Sequence, residues 1–206
     1  MKEEIKTIIQ ESISVKQSLH NLPEVIGAIE HATKTIIEAL QNGKKMLIFG
    51  NGGSAADAQH FAGEFINRFK IDRVPLPAIS LVTDPSVVSS IANDFGYDYV
   101  FSKQVEALGQ KGDVAFAITT SDVELKQGGH SANIANGLIS ARNKGLVTIG
   151  LVSDKSQKIL GLLDIAIKIP SKNTPRIQES HTLVIHIISE IAEKQLAIPY
   201  EKSKLA

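Results

Sequence analysis

Residues 46–69 read MLIFGNGGSAADAQHFAGEFINRF, and this stretch leaves few architectures open. Residues 46–49 are a short uncharged apolar run, residues 50–53 form a turn that small side chains permit, and Ser54 opens a helical pattern of polar and apolar positions. The unit is strand, glycine turn, helix. Ser54 suits the N-cap, because its hydroxyl can accept an amide hydrogen of the first turn, and Asp57 complements the positive end of the helix dipole. Such a turn favours an anion. His60 and Glu64 stand four residues apart, so on a helix they leave one face and can meet at a point. They are half of a metal or acid/base site. The spacing alone also leaves open a solvated polar face, and the glycine turn a plain tight connection.

Two helical patterns precede this unit. Over residues 2–19 apolar side chains fall at Ile5, Ile8, Ile9, Ile13 and Val15, and over residues 23–40 a second pattern ends at Asn42 and Gly43, a good C-terminal stop. In so small a domain these stripes exceed what a sheet covers, so residues 1–43 are expected to pack in an oligomer; the alternative is an intramolecular cap.

Beyond the glycine turn the alternation continues. Residues 78–83 read as a buried strand, with Asp84 as cap and Pro85 at the first helical position; residues 87–92 then lead to Asn93 and Asp94. Residues 97–108 form a helix stopped by Gly109, and a third strand at 114–119 runs into a long polar loop, TTSDVELKQGGHS. Residues 131–143 are helical, 147–152 a strand, 159–163 a brief helix and 165–169 a fifth strand ended by Pro170. Thr174 caps a last helix over 175–195, with Pro175 in its first position. Strands of near-continuous Ile, Val, Leu and Ala that alternate with helices specify an α/β fold, a doubly wound five-stranded parallel sheet with two N-terminal helices, in one domain over residues 1–206. Ligands of such sheets sit outside the carboxyl ends of the strands. Residues 50–54, Asp84 with Asn93 and Asp94, and residues 119–131 should therefore share one rim.

Composition narrows the chemistry. With 22 basic and 22 acidic residues the formal net charge is zero, so nothing global favours nucleic acid or a membrane surface, and any anion site must be local. The absence of cysteine removes disulfides, thiolate metal sites and cysteine nucleophiles and fits a reducing compartment. The start, MKEEIKTIIQESI, is charged and amphipathic, and no apolar run is long enough to span a bilayer; the expectation is an intracellular protein.

Two further clusters carry polar groups. Thr119, Thr120, Ser121 and Ser131 surround a helix start, either a phosphate cradle of hydroxyls and amides or ordinary capping. On the last helix Gln178, His181 and His186 interrupt an apolar surface. Gln178 and His186 are separated by about 12 Å of rise and about 80° around the axis, so they meet only by leaning together. Between Ile185 and Ile187, His186 by itself reads as a satisfied core histidine.

GNGGSAADAQHFAGE, LPAISLVTD, IANDFGYD, KQVEALGQKGD and TPRIQESHTLVIHI together resemble the sugar isomerase (SIS) domain family, most closely its members that isomerise a phosphorylated heptose. The resemblance covers nearly the whole chain. It implies a flavodoxin-like SIS domain and conversion of sedoheptulose 7-phosphate to D-glycero-D-manno-heptose 7-phosphate, which opens bacterial heptose synthesis for lipopolysaccharide or capsule, by a cytoplasmic homotetramer with zinc. By similarity His60, Glu64, Gln178 and His186 match metal positions. Asn51, Gly52, Gly53, Glu64, Asn93, Asp94, Thr119, Thr120, Ser121, Ser131 and Gln178 match substrate-binding positions. Glu64 and His186 match the catalytic base and acid. The chemistry agrees, because moving a proton between adjacent carbons through an enediolate needs a base, an acid and positive charge near the oxyanion. The same family includes a non-catalytic tetramer that binds the replication initiator, expected to lack an acid at the position of Glu64, and sugar-phosphate sensors, which usually carry a DNA-binding module not visible here.

One departure stands out. Where family members read something like STSGNS, residues 122–130 intervene here between Ser121 and Ser131. The longer loop brings Asp122 and Glu124 toward the expected phosphate, unless they point outward or Lys126 offsets them. With Gly128 and Gly129 as a hinge it is expected to close over the substrate, His130 reaching the phosphate; the alternative is a passive surface insertion.

Overall fold

In the computed structural model, which describes residues 1–197, the apolar runs form parallel strands β1 (Met46–Gly50), β2 (Ala78–Ser80), β3 (Val114–Ile118), β4 (Val147–Ser153) and β5 (Ile165–Ile169). Their order is β2-β1-β3-β4-β5, the flavodoxin-like order expected, and the switch point lies between β1 and β3, where Gly50 pairs with Ile118. Residues 198–206, the end of the single expected domain, lie outside the described residues.

Alternate side chains of each strand face opposite layers. Met46, Ile48, Phe116 and Ile167 join a core with α2 (Pro23–Gln41), α3 (Gly53–Ile66) and α7 (Thr174–Leu196). Leu47, Phe49, Ala115 and Ala117 face α5 (Val100–Leu108) and α6 (Ala132–Asn143), with α4 (Pro85–Phe95) at the margin. Phe61 of α3 is fully buried, edge-on to Phe116 at 5.0 Å and to Phe65 at 5.3 Å, and seats the helix that carries His60 and Glu64. Each such ring contributes roughly 2–3 kcal/mol of burial.

The N-terminal helices separate in role. Seen on the sheet, α2 buries Val25, Ile29, Ile36 and Leu40, whereas α1 (Lys2–Asn21) buries only Leu19. Its isoleucines 5, 8, 9 and 13 are 45–54% exposed in the monomer.

Several local expectations change. Gly52, at φ 57°, is the N-cap of α3, so the helix starts at Gly53 and Ser54 lies inside it without a capping role. Glycine alone adopts that turn cheaply, and this closes the helix earlier than a serine cap would. Asp57 consequently falls beyond the first turn. The cap of α7 is Asn173 rather than Thr174, whose hydroxyl instead accepts from Lys155 Nζ at 3.0 Å. At the sheet edge β2 pairs only over Ala78–Ser80 before the chain turns, shorter than residues 78–83. Asn93 and Asp94 belong to the last turn of α4, a 3-10 turn at Tyr97–Tyr99 precedes α5, and Ser131 is the N-cap of α6 rather than its first residue.

Candidate active site and metal centre

Helices α3 and α7 lie side by side on the sheet and run in step. A Cβ on Gly53 would meet the Gln178 amide, Thr182 Oγ1 donates to Asp57 Oδ1 at 3.3 Å, and His186 Nε2 stands 3.3 Å from His60 Nε2. Each step along one helix therefore has a partner on the other. Glu64 Oε1 lies 2.8 Å from His60 Nε2, and the rings of His60 and His186 meet edge-on with centroids 5.0 Å apart. His60, Glu64 and His186 thus place three ligand atoms within 4.8 Å of one another, a group that can hold a metal ion.

The donor set fits zinc. Zn–N bonds of about 2.0–2.1 Å place adjacent tetrahedral ligands about 3.3 Å apart, and the two imidazole nitrogens already have that separation. The Gln178 amide rests on Gly53, at the mouth of the glycine turn. The tilted ring of Phe69 covers His186 at 5.5 Å.

The anion half of the rim is built at the switch point. Gly50 is needed there because a Cβ would lie 2.7 Å from the Ser54 carbonyl and 2.8 Å from that of Ile118. Asn51 and the buried Asn133 of α6 exchange two amide hydrogen bonds of 2.9 Å, tying the glycine turn to the start of α6. Thr119 Oγ1 accepts from the Ser121 amide at 3.2 Å, while the carbonyls of Thr120 and Ser121 accept from the hydroxyls of Ser153 and Ser156. Ser131 is the one non-glycine residue with positive φ among those described, at 56°. A left-handed serine without a side-chain capping bond is a strained position of the kind that sites retain. Asn93 and Asp94 are exposed and bonded to each other at 2.8 Å; among the described residues no hydrogen bond joins them to the glycine turn or the hydroxyl loop.

The longer loop is anchored. Val123 is buried in the core, Asp122 accepts from the amides of Gln157 and Lys158, and the Gly128 amide donates to Asp98 at 2.6 Å. Burial pushes the Asp122 carboxyl up, but those amides and the Lys158 ammonium outweigh it and hold its pKa below the ordinary value. Asp122 therefore spends its charge on the 157–158 backbone, and Glu124 lies 3.7 Å from Lys126.

Asp57 had a different expected role. Burial raises its pKa, against the Thr182 hydroxyl and His60, which lower it, and Oδ2 has no hydrogen-bond partner among the described residues. A signal was present in the sequence, because Asp57, His60 and Glu64 share one helix face. His181 is fully buried beneath this face; its Nε2 faces the Val152 carbonyl at 3.4 Å and its Nδ1 has no hydrogen-bond partner among the described residues.

The SIS domain model matches residues 13–153. The chain is 45% identical over 196 residues to the phosphoheptose isomerase of Aneurinibacillus thermoaerophilus, covering 95% of this chain and 96% of that one. It is 43% identical to that of Sulfurimonas denitrificans, with 95% and 97% covered. The solved phosphoheptose isomerase GmhA from Neisseria gonorrhoeae superposes with a TM-score of 0.84 at 36% identity, covering 94% of this chain and 98% of that one. A phosphoheptose isomerase from Francisella tularensis gives 0.85 at 34% identity, with 93% and 97% covered. With the fold and near full-length relatives in agreement, the chain belongs to the phosphoheptose isomerase family of SIS-domain enzymes.

Proposed function

We propose that this isomerase converts sedoheptulose 7-phosphate to D-glycero-D-manno-heptose 7-phosphate at the α3/α7 groove, as a step of bacterial heptose synthesis for lipopolysaccharide or capsule. The observation that carries the reading is the convergence of one carboxylate and two imidazoles, Glu64, His60 and His186, beside a rim suited to phosphate. His60 holds Oε1 of Glu64, which leaves Oε2 for the substrate. Glu64 takes a proton from C1, the C–H electron pair forms the C1–C2 double bond, and the C2 carbonyl oxygen receives a proton from His186. His186 then takes the O1 proton as the C1 carbonyl forms, and Glu64 returns its proton to C2. No atom is gained or lost.

Zinc bound by His60, Glu64 and His186, with Gln178 as a further ligand, would polarise the carbonyl and stabilise negative charge on its oxygen, and the proton that His186 gives and takes would then sit on Nδ1, the ring nitrogen turned away from the metal. Asn51, Gly52, Gly53, Thr119, Thr120, Ser121 and Ser131 bind the phosphate and sugar, with Asn93 and Asp94 as outer contacts. The reading includes a cytoplasmic homotetramer. Its support is the uncovered isoleucine stripe of α1 together with Ile26, Ile187 and Ile191, which line a groove beside α2 and α7. No helix among the described residues is long and apolar enough to cross a membrane.

Glu64→Gln tests the assignment, since it keeps nearly the same volume and removes the base. Turnover followed by NMR is expected to fall by about 10²–10⁴ with folding intact. Activity within a few-fold of the unmodified protein would reject Glu64 as base.

A further inference from the structure

A heavily bonded pair of buried charges lies beyond the triad. Arg73 and Glu193 are both almost fully buried, and their Nε and Oε1 stand 3.2 Å apart without the alignment of a hydrogen bond. Their strong bonds go to backbone instead. Arg73 donates to the carbonyls of Glu64 at 2.8 Å, Phe65 at 2.9 Å and Val74 at 3.0 Å. Glu193 accepts from the consecutive amides of Phe69, Lys70 and Ile71 at 2.8, 2.6 and 2.9 Å.

These partners matter because of where they stand. The carbonyls of Glu64 and Phe65 belong to the last turn of α3, where they lack helical donors and where a cation complements the dipole. Glu193 lies two turns beyond His186, nearly on the same face of α7. The connecting segment 67–73 carries Phe69, whose ring covers His186. One ion pair therefore grips the end of the helix that supplies His60 and Glu64, the helix that supplies His186, and the strap between them.

We propose that Arg73 and Glu193 are positioning residues that set the span between the α3 and α7 ligands, and hence metal affinity and turnover. This rests on the metal site proposed above. A planar guanidinium can fork to several carbonyls at once, which an ammonium cannot, so Arg73→Lys keeps the charge and loses the geometry. Glu193→Gln keeps the shape and loses an acceptor oxygen.

The test is zinc titration of the full chain together with kcat and KM for both variants, well below their melting temperatures. Lys70→Ala is the control, because it removes exposed contacts of the same strap, to Glu190 and over the Phe69 ring, and keeps the backbone amide that donates to Glu193. Both clip variants are expected to bind zinc about tenfold more weakly and lose about tenfold in kcat, with KM within about twofold, as is usual when groups behind metal ligands are altered. Lys70→Ala should match the unmodified protein. Folded clip variants with zinc affinity and kcat unchanged, or lowered melting temperature as their only change, overturn the proposal. If the unmodified protein takes up no zinc, the metal site above fails and the clip fails with it; zinc uptake with unaltered variants overturns the clip alone.

Discussion

The two halves of the site are held by different physics. His60, Glu64 and His186 stand on two long helices seated by a fully buried aromatic cluster, so their spacing follows from helix geometry and docking. Thr119, Thr120, Ser121 and Ser131 stand on a connection held by hydroxyl-to-carbonyl bonds, with a left-handed serine at its end and the 122–130 segment inside it. Helical frameworks hold reacting groups to a fraction of an ångström, and loops tolerate insertion at little cost. The proposed chemistry thus falls on the rigid half, and the expected difference in loop length on the adaptable half.

The sharpest way to break this contrast is at the rigid half. His60→Ala removes a proposed ligand and the partner that orients Glu64, and it is expected to lower zinc occupancy together with turnover by about a hundredfold or more, read by metal analysis and the isomerase assay. Unchanged occupancy would show that the helical half does not hold the metal.

Replacing residues 122–130 by Gly-Asn probes the adaptable half. KM is expected to rise by about tenfold, equal to about 1.4 kcal/mol of binding, with kcat nearly preserved. Loss of both would favour closure of the loop over the substrate, and no change would make the insertion passive. Its anchors at Asp122, Val123 and Asp98 already limit how far such a loop can move. Because Val123 leaves the core in this variant, its melting temperature should be recorded alongside.

The smallest effect lies where the halves touch. His181 on α7 faces the carbonyl of Val152, whose neighbour Ser153 holds Thr120. Burial lowers the His181 pKa from 6.5 to about 4, against the Val152 carbonyl, which raises it. Between those values the unfolded chain binds a proton that the folded chain refuses, so stability is complete above pH 6.5 and is lost as pH falls toward 4. At about 1.4 kcal/mol per pH unit the loss reaches at most about 3 kcal/mol. His181→Gln, which does not titrate, should flatten denaturation midpoints across that window; a slope equal to that of the unmodified protein would reject buried His181 as its origin.

Much of this was legible locally. The apolar runs, the GNGG turn and the four-residue spacing of His60 and Glu64 are decided by neighbours within one or two turns, where periodicity and steric limits act directly. Strand alternation likewise specified a parallel sheet, since each crossover helix must return the chain to the same edge. Resemblance to a family, rather than spacing, raised His186 from a core histidine to a candidate ligand.

Tertiary structure decided what depends on docking. His186 reaches His60 across 126 residues only because α3 and α7 run in step. Burial of Asp57, the Asn51–Asn133 exchange and the Arg73–Glu193 clip have no periodic signature, because each joins groups that meet only after the sheet has formed. The cap of α3 moved from Ser54 to Gly52 for a related reason: the close approach of Gly50 to the Ile118 carbonyl is a contact between strands, and it sets how tightly the turn must close. Local sequence determined which elements form and which side chains share a face; long-range packing alone determined which faces meet, because that depends on contacts no short window contains.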